Sequence, residues 1–315
     1  MALMSLRPRK DRSTSTVGLD IDGVFLAAVQ TSDGRLTRAA STDLEPGLMT
    51  DGEVTDPAAL GQALARFFDE NNLPKRVRLG ISNQQIVVRQ LEMPLIDNEA
   101  DRDAAIRFQA AETIAMPLDE AILDYTITGG AENGEGPPRM NVVVVAARES
   151  MVMSLLEAVR AAGLRPQGID LNAFALVRTL ANRYEAADHA RVYCHLAGVT
   201  NLAIAHGSSC VFTRPLSTAW DSYEEDTAAS LAEEIRLSID FYTADPDARF
   251  AGDVVLSGPG SEREGLAEEL GRMLALTVSV ADPLANLETG FGVLPEGEDP
   301  HRHTVAAGLA LGEAA

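Results

Sequence analysis

A pattern that occurs twice limits most what this chain can become. From Val17, "VGLDIDGVFLAAVQ" reads as two short apolar strands reversed at an Asp-Gly turn. A third strand lies near Leu36 to Ser41, and "TDPAALGQALARFFDENN" follows as an amphipathic helix with Leu60, Leu64, Phe67 and Phe68 on one face. From Arg191 the order returns: "VYCHLA", "TNLAIAHG" and "SCVFTRPL" read as strands, then a long helix runs from about Asp226 to Ala244. A repeated meander and helix implies two lobes of like architecture facing each other across a cleft. The length suits two lobes, because single cores rarely grow beyond roughly 250 to 300 residues and this chain has 315, of which 46% are hydrophobic.

Between the repeats lies different material. "RVRLGIS" and "QIVVRQLEMP" read as strands, and Asn98 to Met116 as a helix with Ile106, Phe108 and Ile114 as its apolar side, stopped before Pro117. "AILDYTIT" and "MNVVVVAA" form a hairpin, and its polar, glycine-rich loop "GGAENGEGPPR" is expected to be disordered. "ESMVMSLLEAVRAAG" is a helix with Gly163 placed to end it. Near the C-terminus, "DVVLSGPGS" is a buried strand entering a Gly-Pro-Gly turn, followed by the helix "EREGLAEELGRML", the strand "TVSVAD" and a last helix "HTVAAGLALGEA".

Charge and composition exclude several classes. A formal net charge of -21 repels nucleic acid and anionic lipid and favours a basic partner. Cys194 and Cys210 are the only cysteines, which suits a reduced, cytoplasmic compartment. No apolar run approaches the roughly 20 residues needed to cross a bilayer, and the basic residues Arg7, Arg9, Lys10 and Arg12 mark a solvated tail rather than a secretory signal. Lys10 and Lys75 are the only lysines, so no Gly-Lys-Ser phosphate loop exists, and "HGSSC" lacks the pattern of a nucleophile elbow. His301 and His303 in "EGEDPHRH" have the spacing of a metal pair but read as a solvated turn.

Several segments together resemble the PilM family, actin-like proteins of type IV pilus and type II secretion-like assembly that are related to FtsA. They are "VGLDI", "LEMPLIDNEADRDAAIRFQAAETIAMPLDEAILDYTI", "VVVAARESMVMSLLEAVRAAGLRPQGIDLNAFALVRTL", "SLAEEIRLSIDFY" and "VVLSGPGSEREGLAEELGRML". The resemblance implies an α/β actin-like ATPase fold of two RNase H-like lobes with an inserted small subdomain of the FtsA/PilM type. On that reading residues 1–16 are a disordered basic tail, and 17–82 plus 167–190 form the first lobe. Residues 83–166 are the insertion and 191–315 the second lobe, with 216–253 its small helical part. It also implies ATP and magnesium between the lobes and a PilN-like bitopic membrane partner, held by its cytoplasmic N-terminal segment in a groove beside the insertion. Other pilus assembly components, including the assembly ATPase, are implied as partners. The protein would then be cytoplasmic, peripheral at the inner face of the cytoplasmic membrane.

Carried onto this sequence, the family's nucleotide residues are Asp20, which would hold magnesium through water, Gly23 in the first hairpin, Gly198 and Thr200 in the second, Glu234 and Ser238 beside the nucleoside, and Gly258 and Gly260 in the adenosine turn, where Pro259 replaces a glycine. Two departures stand out. The first hairpin has Asp22, Gly23, Val24 and Phe25 in place of small and hydroxyl residues, and an Asp22 carboxylate at about 4 Å from a phosphate costs roughly 4 kcal/mol at an effective dielectric near 20. In the second hairpin His195 stands where the family has Asp, and Ala197 where it has Gly. Asp22-Gly23 also suits the tip of a plain type I′ hairpin. The reading is therefore a scaffold with degenerate nucleotide loops, ATP and magnesium binding weak or lost and hydrolysis negligible; the alternative is a nucleotide-switched ATPase of the same machinery.

Overall fold

The computed structural model describes residues 16–32, 34–131, 138–181, 189–217, 227–245, 248–288 and 293–312. The expected tail before Thr16 and the centre of the glycine-rich loop lie outside the described residues. In chain order the first elements are β1 (Thr16–Ile21), β2 (Phe25–Ser32), β3 (Arg35–Asp43), the short pair β4 (Met49–Thr50) and β5 (Glu53–Val54), α1 (Pro57–Glu70) and β6 (Arg76–Ile81). Then come β7 (Val87–Pro94), α2 (Glu99–Thr113), β8 (Ala121–Ala131), β9 (Arg139–Arg148), α3 (Glu149–Ala161), β10 (Arg165–Leu171) and α4 (Asn172–Leu180). The remainder is β11 (Ala190–His195), β12 (Asn201–His206), β13 (Ser209–Pro215), α5 (Thr227–Thr243), β14 (Ala251–Ser257), α6 (Leu266–Leu274), β15 (Thr277–Val280) and α7 (Thr304–Leu311).

The repeat read in the sequence is real at the level of topology. One five-stranded sheet has the order β3-β2-β1-β6-β10 and the other β13-β12-β11-β14-β15. In each, three antiparallel meander strands are followed by two parallel ones. These are the two RNase H-like lobes. In the second, Leu231 and Ile235 of α5 and Leu266 and Leu270 of α6 bury against Val192, Cys194, Ile204, Val254 and Leu256. In the first, Asp56 caps α1 by accepting the N–H groups of Ala58 and Ala59, with Pro57 preset for the first turn.

Two helices exchange partners between the lobes. α4 follows β10 of the first sheet but packs Leu176, Val177 and Leu180 against Tyr193, Ala203 and Ala205 of the second. α7 ends the second half but packs on β1 and β2 of the first sheet, with Ala306, Ala307 and Ala310 among Phe25, Ala27 and Val29. Buried all round from Thr304 to Ala310, α7 is apolar on every face, as such a helix must be. Glycine makes the crossing close enough. A Cβ on Gly18 would lie 2.0 Å from the Ala306 carbonyl oxygen, and one on Gly308 would lie 2.0 Å from that of Ala175.

The described residues group into two compact units: those up to Asn83 with those from Leu156 onward, and Gln84–Leu155. The smaller unit is the sheet β7-β9-β8 with Ile106, Ala110 and Ile114 packed over Leu91, Met93, Met140, Val142 and Val144. Its helix α2 starts at an Asn98 cap and stops at Thr113, short of the expected Met116, because Ile114 is already extended. Phe108, expected on the apolar side, is 67% exposed.

Candidate functional site

The two hairpin tips meet at the interface of the lobes. After β1 the chain reverses through Asp22, Gly23 and Val24, with the Asp22 N–H donating to the Phe25 carbonyl at 3.1 Å. Gly23 has φ +105°, and neither Asp22 nor Val24 has positive φ. The two successive positive φ values of the expected type I′ turn on Asp22-Gly23 are therefore absent, and the reversal is a bend with its one positive φ at Gly23. Glycine carries that φ at no steric cost, which a residue with a Cβ such as Asp22 does not.

Asp22 does not point toward open cleft. Its carboxylate accepts the Gly198 N–H at 2.7 Å and the Val199 N–H at 3.3 Å, from a turn 176 and 177 residues away in sequence. A Cβ on Gly198 would lie 2.6 Å from that carboxylate oxygen, so glycine here admits the acid's close approach. Burial raises the Asp22 pKa to about 6, against the lowering effect of the N–H donors of Gly198, Val199 and Val24 and of the Arg302 charge.

Asp20, one pleat back on β1, is also buried, and its carboxylate accepts from Asn172 Nδ2 at 3.2 Å. Burial first, then the Asp22 charge, push its pKa well above the ordinary range, with Asn172 opposing. Asn172 opens α4; its contribution was missed in the sequence, where an Asn at a strand-to-helix junction carries no signal for a partner 152 residues away.

His195 ends β11. Its Nδ1 meets the Ser257 hydroxyl at 3.0 Å, while its buried Nε2 has no partner among the described residues. Burial, helped by nearby His301, lowers its pKa to about 4, so the ring is neutral at physiological pH. It supplies neither the negative charge of the aspartate it replaces nor a cation for phosphate. Thr200 is buried in the same turn with its hydroxyl also unpartnered.

The remaining predicted residues serve the protein itself in this structure. Gly258 (φ +84°) brings backbone against backbone: its Cβ would lie 2.4 Å from the Leu196 carbonyl oxygen, which also accepts the Gly260 N–H at 3.0 Å. Glu234 accepts the Ser217 N–H at 2.9 Å and the Ser217 hydroxyl. The Ser238 hydroxyl donates back to the Glu234 carbonyl one turn earlier. His301 and His303, expected in a solvated turn, are both buried: the backbone turns inward after Asp299 caps the His301 N–H.

The donor set divides in its fit to magnesium and a triphosphate. Asp20, Asn172 Oδ1 and Thr200 Oγ1 are hard oxygen donors, the last two buried without partners, the type that suits magnesium. The phosphate side does not fit, because its paired N–H groups already hold an anion, the Asp22 carboxylate.

Comparison with known proteins gives four findings. A model of the family described as type IV pilus assembly protein PilM matches residues 18–219. The solved structure of a "PilM-PilN type IV pilus biogenesis complex" is similar to this chain with 25% identity and a TM-score of 0.81, covering 95% of this chain and 98% of that one. The ethanolamine utilization protein EutJ from Carboxydothermus hydrogenoformans (12% identity, TM-score 0.51, 97% and 91% covered) shares the fold. So does a Bacteroides thetaiotaomicron protein with an actin-like ATPase fold (12%, 0.50, 85% and 91%).

Proposed function

The chain belongs to the type IV pilus assembly protein PilM family, and on that premise we propose that it is an actin-like scaffold of a pilus or pseudopilus assembly machine. Its partner is the cytoplasmic N-terminal segment of a bitopic, PilN-like membrane protein. Likeness to the PilM-PilN complex over 95% of the chain supports that partner. Among the described residues no helix is long and apolar enough to cross a membrane, so attachment to the inner face of the membrane would run through such a partner. The net charge of -21 adds an independent reason, since juxtamembrane cytoplasmic segments are rich in Lys and Arg.

Opposite charge speeds encounter and is screened beyond a Debye length of about 10 Å at 0.1 M salt. With the segment fused to a soluble carrier, the association rate to the full chain should fall by about tenfold or more between low and high salt. The dissociation rate should change little, because apolar contacts hold the bound state. No binding at low salt would exclude the partner.

The observation that carries a scaffold over an ATPase is the Asp22 carboxylate on Gly198 and Val199. With a neutral His195 in place of the second acidic residue, that hairpin offers no carboxylate to organise a metal-bound water. Phosphate release from ATP with magnesium should be indistinguishable from background. The second reading, a nucleotide-switched ATPase, is favoured by Asn172 Oδ1, unpartnered among the described residues on the side chain that bonds Asp20. Release that disappears in Asp20→Ala would establish it.

A further inference from the structure

Beside the cleft residues, two short turns lie side by side: the 3-10 turn Pro259–Glu262 after β14 and the 3-10 turn Pro300–His303 before α7. Asp299 caps the second by accepting the His301 N–H at 2.8 Å, with Pro300 preset at its first position, and this sends the His301 ring inward. The His301 side chain is buried, 8% exposed. Glu262, Asp299 and His301 each place a ligating atom within 4.8 Å of the others.

The hydrogen bonds around Ser261 favour one tautomer of His301. The Ser261 hydroxyl donates its only hydrogen to the Gly258 carbonyl at 2.7 Å. Its oxygen therefore meets His301 Nδ1, 3.3 Å away, as an acceptor, and Nδ1 carries the proton. In that tautomer the Nε2 lone pair faces the Glu262 carboxylate at 3.4 Å, with an Asp299 oxygen within ligating reach of both. Two acceptors opposed at that distance need a cation between them or a proton on the ring.

We propose that Glu262, Asp299 and His301 Nε2 form a site for a divalent transition-metal ion of the Zn²⁺ class, tying the turn after β14 to the entry of α7. One imidazole nitrogen with two carboxylates suits such an ion, whereas Mg²⁺ and Ca²⁺ prefer oxygen alone. Ser261 holds the second ring nitrogen, as outer partners of metal-bound histidines do. The Glu262 side chain is 61% exposed, which gives the ion a path in and leaves room for water on the metal.

The test uses the full chain, stripped with a chelator and titrated with Zn²⁺ by calorimetry, with thermal unfolding followed in parallel. One equivalent should bind and raise the unfolding midpoint. Glu262→Gln, at an exposed position that leaves the fold intact, should weaken binding and abolish the thermal shift. Ser261→Ala, which releases the tautomer without removing a ligand, should weaken it by about 10- to 100-fold. Absence of stoichiometric binding, or equal binding by Glu262→Gln, would overturn the proposal. So would nitrogen NMR showing His301 protonated on both nitrogens in the presence of Zn²⁺, since the proton would then occupy the metal's place.

Discussion

Gly18→Val and Gly308→Val are each expected to lower the midpoint of thermal unfolding by about 10 °C or more, the equivalent of about 3 kcal/mol or more in a protein of this size. The reason is geometric. At both positions a Cβ would stand 2.0 Å from a backbone carbonyl oxygen, that of Ala306 for Gly18 and that of Ala175 for Gly308. Backbone cannot swing aside as a side chain can, and α7 is locked on other sides by the Thr31 hydroxyl on the Ala310 carbonyl, the Thr179 hydroxyl on the Thr304 carbonyl and Arg178 on the Gly308 carbonyl. Relief therefore requires moving a buried helix out of a packed interior. Gly271→Ala on α6 is the control: its Cβ would meet nothing closer than 3.4 Å, and alanine in place of glycine gains up to about 1 kcal/mol of helix propensity. Midpoints for Gly18→Val and Gly308→Val within a degree or two of the parent would show that α7 is less tightly held than its contacts imply.

The elements that announced themselves in the sequence were those with strong local patterns. Alternating apolar runs gave the meander strands of both lobes, and Leu60, Leu64, Phe67 and Phe68 gave the face of α1. Their repetition gave the two-lobe architecture. β10 and α4 carried no such pattern. "RPQGIDL" alternates poorly and contains Pro and Gly, and it is a strand because β6 offers an edge to pair with in parallel. Phe108 misled because one aromatic at helical spacing says nothing about whether a partner surface lies opposite; Ile106 and Ile114 had one. The candidate site was half legible. That Asp22 breaks the phosphate hairpin could be read from charge alone, but that its carboxylate would turn onto the Gly198 and Val199 N–H groups depends on a contact across 176 residues. Local chemistry holds no record of such a contact.

Asp22→Ser is expected to raise affinity for ATP with magnesium by at least about tenfold, equivalent to about 1.4 kcal/mol. The parent should bind a fluorescent ATP analogue only in the range of about 1 μM to 1 mM. Two effects act together. Removing the carboxylate frees the Gly198 and Val199 N–H groups, each worth about 1–3 kcal/mol when left buried without an acceptor, so an incoming phosphate satisfies groups that nothing else does. It also removes a like charge whose repulsion at about 4 Å is roughly 4 kcal/mol at an effective dielectric near 20. The same acid sets a stability signature that needs no ligand. Its folded pKa of about 6 lies above the ordinary 3.8, so between those values the folded state binds more protons than the unfolded chain, and stability falls as pH rises through that window. The loss is at most about 3 kcal/mol. The charged groups acting on it are Asp20, on the strand that leads into its turn, and Arg302 before α7. Asp22→Asn removes one of the two raised titrations and should make the fall in stability between pH 4 and 6 shallower, Asp20 keeping its share. It should also bring the Asp20 pKa down, because the Asp22 charge is one of the causes that raise it. Unchanged affinity in Asp22→Ser together with an unaltered pH profile in Asp22→Asn would mean that the carboxylate does not occupy the anion position, and the degenerate reading of the cleft would fall with it.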